Sequence, residues 1–133
     1  MILDTTFLVD VLRGDVRENP TATEYIEAID ATGTGKVSSV SVMELWEGVH
    51  LADATESERT RVGELLDGIH ELPFDRSVAM RAGELSAALL SGGERIETSD
   101  VMIGATALVH DEPVLTRNVE QFDRIEGLDI DTY

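Results

Sequence analysis

Short apolar runs alternate along this chain with longer stretches in which apolar residues recur every three or four positions. Met1-Ile2-Leu3 reads as a strand passing into a helix that stops near Gly14, and Thr21 to Ala31 predicts a second helix with Tyr25, Ile26 and Ile29 facing inward. Gly33-Thr34-Gly35 turns the chain into a strand through Val40, followed by a helix carrying Met43, Leu45, Trp46 and Val49. Thr55-Glu56-Ser57-Glu58 has the spacing of a capping box, and the helix it opens places Val62, Leu65, Leu66 and Ile69 on one side. Leu72-Pro73-Phe74 reads as a short strand. Asp75 then starts a helix whose small residues Ala79, Ala82, Gly83 and Ser86 permit close packing until Gly92-Gly93 ends it. The last third predicts a helix from about Asp100 to Val109, a strand at Val114–Thr116, a short helix near Val119–Arg124 and a strand at Leu128–Ile130.

Strands separated by helices need crossover connections, which are right-handed and cover both faces of a parallel sheet. The expected fold is therefore α/β, with a mostly parallel central sheet flanked by helices. At 133 residues it forms one domain, residues 1–133, with no repeat, linker or low-complexity segment dividing it. A domain of this size buries roughly two-thirds of its unfolded surface. No apolar stretch approaches the ~20 residues of a membrane span and no leader pattern is present, so a soluble, cytoplasmic protein is expected.

The formal net charge of −17 ordinarily argues against a nucleic-acid partner, because phosphate binding rests on Lys and Arg. The make-up of that charge changes its meaning. Lys36 is the only lysine, the other nine basic side chains are arginine, and acids are spread from end to end. An acidic interaction tail would instead concentrate them in one block. This acid-rich, lysine-poor composition resembles proteins of salt-in halophiles, where molar salt shortens the Debye length to ~3 Å and screens the repulsion. There are no cysteines, which excludes disulfides, thiolate zinc sites and a cysteine nucleophile.

Against that acidic background, four polar residues stand where strands end or helices begin. Asp4 follows the first strand, Glu44 comes just after Val37–Val40, Asp100 opens a helix, and Asn118 follows Val114-Leu115-Thr116. Each has a plain structural use. Asp4 and Asn118 suit helix caps, Glu44 completes a capping box with Ser41, and Asp100 complements a helix dipole worth ~0.3–1 kcal/mol. Capping alone does not explain convergence on one sheet edge, the place where open parallel α/β sheets bind ligands. Three carboxylates gathered there repel one another unless a cation neutralises them, which points to a divalent-metal site.

The stretches around these residues carry a resemblance. Met1-Ile2-Leu3-Asp4-Thr5-Thr6 resembles the opening of PIN-domain nucleases, in which a strand delivers an Asp with a hydroxyl residue two positions later. Ser41-Val42-Met43-Glu44-Leu45 is similar to their second acidic motif, Asp100 to Leu108 to the third, and Leu115-Thr116-Arg117-Asn118 to the fourth. The four motifs occur in order across the whole chain, and their spacing is most like that of VapC toxins, the RNase halves of VapBC toxin–antitoxin pairs. The resemblance implies an endoribonuclease holding Mg²⁺ or Mn²⁺ through Asp4 and Asp100, with Glu44 direct or through water. Asn118 would serve as a neutral ligand or water-holder where many relatives carry a fourth acid, and Thr6 would orient a carboxylate or water. It also implies a homodimer silenced by a VapB-like antitoxin. Two rival readings stay open: a non-catalytic PIN-like binding module, and a housekeeping PIN nuclease of RNA maturation.

Other chemistries find little support. His50, His70 and His110 are dispersed and suit solvated or capping roles, and neither a nucleophile elbow nor a phosphate-binding glycine loop is present. Asp10 and Asp15 are expected to face solvent, and Trp46 to line the core or a groove. Arg13 and Arg117 are candidate phosphate contacts.

Overall fold

Alternation along two central strands divides the core in two. Ile2 and Val114 belong to one hydrophobic cluster, and their neighbours Leu3 and Leu115 belong to the other, because successive strand side chains point to opposite sheet faces. The computed structural model describes every residue from Met1 to Tyr133. The element order is β1 (Ile2–Leu3), α1 (Thr5–Arg13), α2 (Pro20–Thr32), β2 (Lys36–Ser38), α3 (Ser39–Leu51), α4 (Thr55–Asp67), β3 (His70–Leu72), α5 (Arg76–Ser91), α6 (Thr98–Val109), β4 (Val114–Leu115), α7 (Val119–Phe122) and β5 (Ile130–Asp131). The five strands form one sheet in the order β3-β2-β1-β4-β5, and every pairing is parallel. Val78, Leu85, Ile103 and Phe122 fill one face, and Phe7, Leu8, Leu45, Val49 and Val62 fill the other. This is the expected α/β architecture, a parallel sheet flanked by seven helices.

Strand order positions the site. The chain begins in the middle at β1, steps outward through β2 to β3, and returns to the opposite side of β1 with β4 and β5. The winding direction therefore reverses between β1 and β4, and connections leaving a sheet on opposite sides open a crevice at that point. Asp4 and Thr116 are the first residues beyond those two strands. Gly14, at φ 76, ends α1 in the left-handed conformation that glycine adopts without steric cost.

Several boundaries and faces differ from expectation, each for a local reason. β2 ends at Ser38 rather than Val40, because Ser38 Oγ accepts the Val40 N–H at 3.1 Å and starts α3 early. β3 takes His70–Leu72 in place of Leu72–Phe74. Pro73 has no N–H to give a ladder, and the Phe74 N–H goes to Ser39 Oγ at 2.9 Å. β5 runs over Ile130–Asp131, leaving Leu128 to pack on the core. The capping box at Thr55 does not form: Thr55 is already helical, and its hydroxyl donates to the Ala52 carbonyl. On α5 the packed face is Val78, Ala82, Leu85 and Leu89, while Ala79 and Gly83 are exposed. Trp46 is neither core nor groove; it is exposed, with the Arg59 guanidinium 5.7 Å from its ring. No helix is long and apolar enough to cross a membrane.

Candidate active site

Asp4 follows β1 and caps α1. It is 1 % exposed, and three donors converge on its carboxylate. Oδ1 accepts the Thr5 N–H at 2.8 Å, and Oδ2 accepts the hydroxyls of Thr6 and Thr116, each at 2.7 Å. The capping role anticipated for Asp4 is thus real, but it uses one oxygen only. Thr116 arrives from β4, the other side of the reversal, and its hydroxyl also accepts the Asn118 N–H at 2.9 Å. Asn118 is placed by this turn, and its own side chain makes no capping bond to α7.

Glu44 lies on α3, in the middle of the helix and not at its start, so it forms no capping box with Ser41. Thr5 Oγ1 is 2.8 Å from both Glu44 Oε1 and Ser41 Oγ. A hydroxyl has one proton, so Thr5 gives it to Glu44 and accepts from Ser41. The residue next to Asp4 therefore holds Glu44 across the gap between α1 and α3.

Asp100 sits in the first turn of α6, because the helix opens at Thr98. Burial and then the negative charges of Asp4, Glu44 and Glu97 push its carboxyl up to about 7. Asn118 Nδ2 approaches Asp100 Oδ2 at 3.4 Å, a long contact in which the amide donates. The expected role of Asn118 as an oxygen ligand requires the amide to present its other end. Sequence reasoning placed Asp4, Glu44, Asp100, Asn118 and Thr6 at one sheet edge, and hydrogen bonds or charge effects link all five there. It missed Thr5, Ser41, Thr116 and Glu97. Thr5, Ser41 and Thr116 stood inside the four motifs, and their hydroxyls were the signal. Asp15 and the three histidines are exposed, as expected, but Asp10 is buried.

The donor chemistry fits a hard divalent cation. Asp4, Glu44 and Asp100 supply carboxylate oxygens, and their mutual repulsion at Asp100 is what a positive charge would relieve. The side chains are not closed round a single point, since no three acidic or imidazole groups come within joint ligand reach. Asp4 already has its oxygens turned toward Thr5, Thr6 and Thr116. The two candidate arginines are placed differently. Arg13 shares a groove between α1, α3 and α4 with Glu44, and exposed Arg117 pairs through Nε with Asp10 Oδ2 at 3.5 Å.

A family model described as PIN domain matches residues 1–128. The chain belongs to the PIN-domain family. Within it the likeness is to VapC ribonucleases. The chain is 31% identical over 128 residues to Ribonuclease VapC10 of Mycobacterium tuberculosis, covering 96% of this chain and 90% of that protein. It is 29% identical over 97 residues to the tRNA(fMet)-specific endonuclease VapC of Salmonella typhimurium, covering 73% and 74% of the two chains. Among solved structures, VapBC2 from Rickettsia felis bound to a promoter DNA fragment matches with a TM-score of 0.89 at 22% identity, over 99% of this PIN domain and 97% of the matched chain. DNA-bound VapBC from Salmonella typhimurium matches with the same TM-score, 0.89, at 24% identity. These structural matches show the fold, and the family match shows the lineage.

Proposed function

We propose that this PIN-domain chain is a metal-dependent endoribonuclease, the toxin of a type II toxin–antitoxin pair. The observation that carries the reading is Asp100, a half-buried carboxyl raised by burial and then by Asp4 and Glu44, and met by Asn118 at the reversal of a parallel sheet. The names of its VapC relatives supply the reaction class. Asp4 and Asp100 would be charged ligands of Mg²⁺ or Mn²⁺, with Glu44 direct or through water and Asn118 as a neutral ligand or water-holder. When bound, the ion supplies a more acidic water and neutralises a phosphate oxygen. The residues do the rest. Thr6 and Thr116 orient the Asp4 carboxylate, Thr5, itself hydrogen-bonded by Ser41, holds Glu44, and Arg13 and Arg117 would meet the RNA backbone.

The likeness to VapBC complexes supports a VapB-like antitoxin as partner, and the resemblance to VapC toxins extends to a cytoplasmic homodimer. A small VapB-like reading frame directly upstream would favour the toxin over a housekeeping nuclease of RNA maturation.

The test is cleavage of total cellular RNA by purified protein in molar KCl with Mg²⁺ or Mn²⁺. Cleavage is expected with either ion, to disappear with EDTA, and to be absent in Asp100→Asn. Full cleavage in EDTA would overturn the metal mechanism. No cleavage under any condition by a folded protein would leave the binding-module reading in its place.

A further inference from the structure

Asp10 has no part in the acidic site, yet it is 3 % exposed, and one of its oxygens, Oδ1, is buried without a hydrogen-bond partner. Leaving a carboxylate oxygen unsatisfied is destabilising, so a buried acid in this state calls for a reason beyond packing. Its other oxygen supplies one. Asp10 Oδ2 accepts the Tyr133 hydroxyl at 2.6 Å and pairs with Arg117 Nε at 3.5 Å.

The surroundings of Asp10 lead back to the site. Thr6 and Asp10 lie one helical turn apart on α1 and so share a face. The Tyr133 hydroxyl sits over that face and gives its proton to Asp10. Thr6, on the same face, gives its single proton to Asp4 Oδ2 at 2.7 Å. The Tyr133 ring is fixed edge-on to buried Phe7, with centroids 5.0 Å apart. Burial and the Asp10 carboxylate raise the phenol well above its ordinary range, so it remains a proton donor. Arg117, for its part, lies between Thr116, which holds Asp4, and Asn118, which contacts Asp100.

We infer that Asp10 and Tyr133 are positioning residues of the nuclease site: Tyr133 fixes the Asp10 carboxylate, and Asp10 in turn holds the Thr116–Asn118 turn through Arg117. The inference rests on the metal-dependent reading given above. Groups that orient metal ligands commonly change affinity or activity by roughly 10–100-fold when removed.

Tyr133→Phe isolates the effect, since it keeps the ring on Phe7 and deletes only the hydroxyl. Mn²⁺ affinity by calorimetry, RNA cleavage with kcat and KM separated, and the thermal midpoint in EDTA are measured for this variant and wild type. Mn²⁺ binding is expected to weaken roughly tenfold and kcat to fall by a similar factor. The EDTA midpoint should move by no more than a few degrees. Asp10→Asn tests the ion pair with Arg117. The amide oxygen still accepts from Tyr133, but the charge that holds Arg117 is gone, so KM for RNA should rise more than Mn²⁺ affinity falls. A Tyr133→Phe protein with a lowered midpoint but wild-type Mn²⁺ affinity and kcat would make the contact purely structural and overturn the inference. If wild type binds Mn²⁺ and cleaves while Tyr133→Phe matches it in every measurement, the inference alone fails. A wild type that neither binds Mn²⁺ nor cleaves overturns the nuclease reading, and this inference with it.

Discussion

Thr116 donates its hydroxyl proton to Asp4 Oδ2 at 2.7 Å, joining residues 112 positions apart across the point where the sheet reverses direction. Both are buried. The bond fixes the Asp4 carboxylate, and the same hydroxyl accepts the Asn118 N–H at 2.9 Å, so one side chain sets the relation between two site residues. Thr116→Val keeps the shape and removes both bonds. A buried hydrogen bond to a charged group is worth ~1.5–3 kcal/mol, and that loss should appear in denaturant unfolding. RNA cleavage should fall roughly tenfold or more. A Thr116→Val protein equal to wild type in both would show that Asp4 is oriented by Thr5 and Thr6 alone.

Asp100 makes the metal-free protein sensitive to pH. Its folded value, raised to about 7, lies above the ordinary carboxyl range, so its favourable contribution is complete at pH below about 4 and is lost as pH rises through 7. Allowing for solvent around a half-buried group, the loss is on the order of 1–2 kcal/mol. In EDTA, Asp100→Asn should therefore be more stable than wild type at pH 8 and close to it at pH 4. Thermal melts across that range decide the matter. Parallel curves for the two proteins would mean that Asp4, Glu44 and Glu97 do not act on Asp100.

Charge separates the roles within the site. Asn118 brings an amide, which holds a water or an ion without neutralising either, whereas Asp4 and Asp100 bring carboxylates. Asn118→Ala should weaken cleavage partly, by roughly 10–100-fold, while Asp4→Ala or Asp100→Ala eliminates it. Asn118→Asp should keep activity and bind Mn²⁺ at least as tightly, the ion meeting the added repulsion. Calorimetric titration beside RNA cleavage gives the ordering. An Asn118→Ala protein as inactive as Asp100→Ala, and still folded, would reverse it.

Salt should stabilise the fold. Only five of the 27 acidic side chains, Asp10, Glu58, Glu84, Glu112 and Glu120, take part in an ion pair, so the rest face one another with little compensation. Repulsion of this kind is screened within ~3 Å at molar salt and reaches ~30 Å at 0.01 M. Thermal midpoints should fall by roughly 4–10 °C from molar KCl to dilute buffer, corresponding to about 1–2 kcal/mol. A midpoint independent of salt would remove the halophilic reading of the composition and return the net charge of −17 as evidence against an RNA substrate.

Periodicity and punctuation were enough to read the α/β alternation, the order of helices and strands, and the placing of Asp4, Asp100 and Asn118 near element ends, whereas Glu44 falls in the middle of α3. Those are local properties: an apolar run, a glycine or a capping residue acts on the few residues around it. Element ends were less legible, because the competition at Ser38 or Phe74 is settled by a single hydrogen bond to a residue that periodicity does not single out. What only the tertiary structure decided is which side chains meet. Asp10 looked like a solvent-facing acid on a helix, yet the closing residues of the chain return to cover it with Tyr133. Thr116 looked like the end of a strand, yet strand order puts it against Asp4. Strand order and chain return are set by burial of both sheet faces at once, a sum over residues distant in sequence, and no local pattern encodes the partner of a hydroxyl or a carboxylate across that distance.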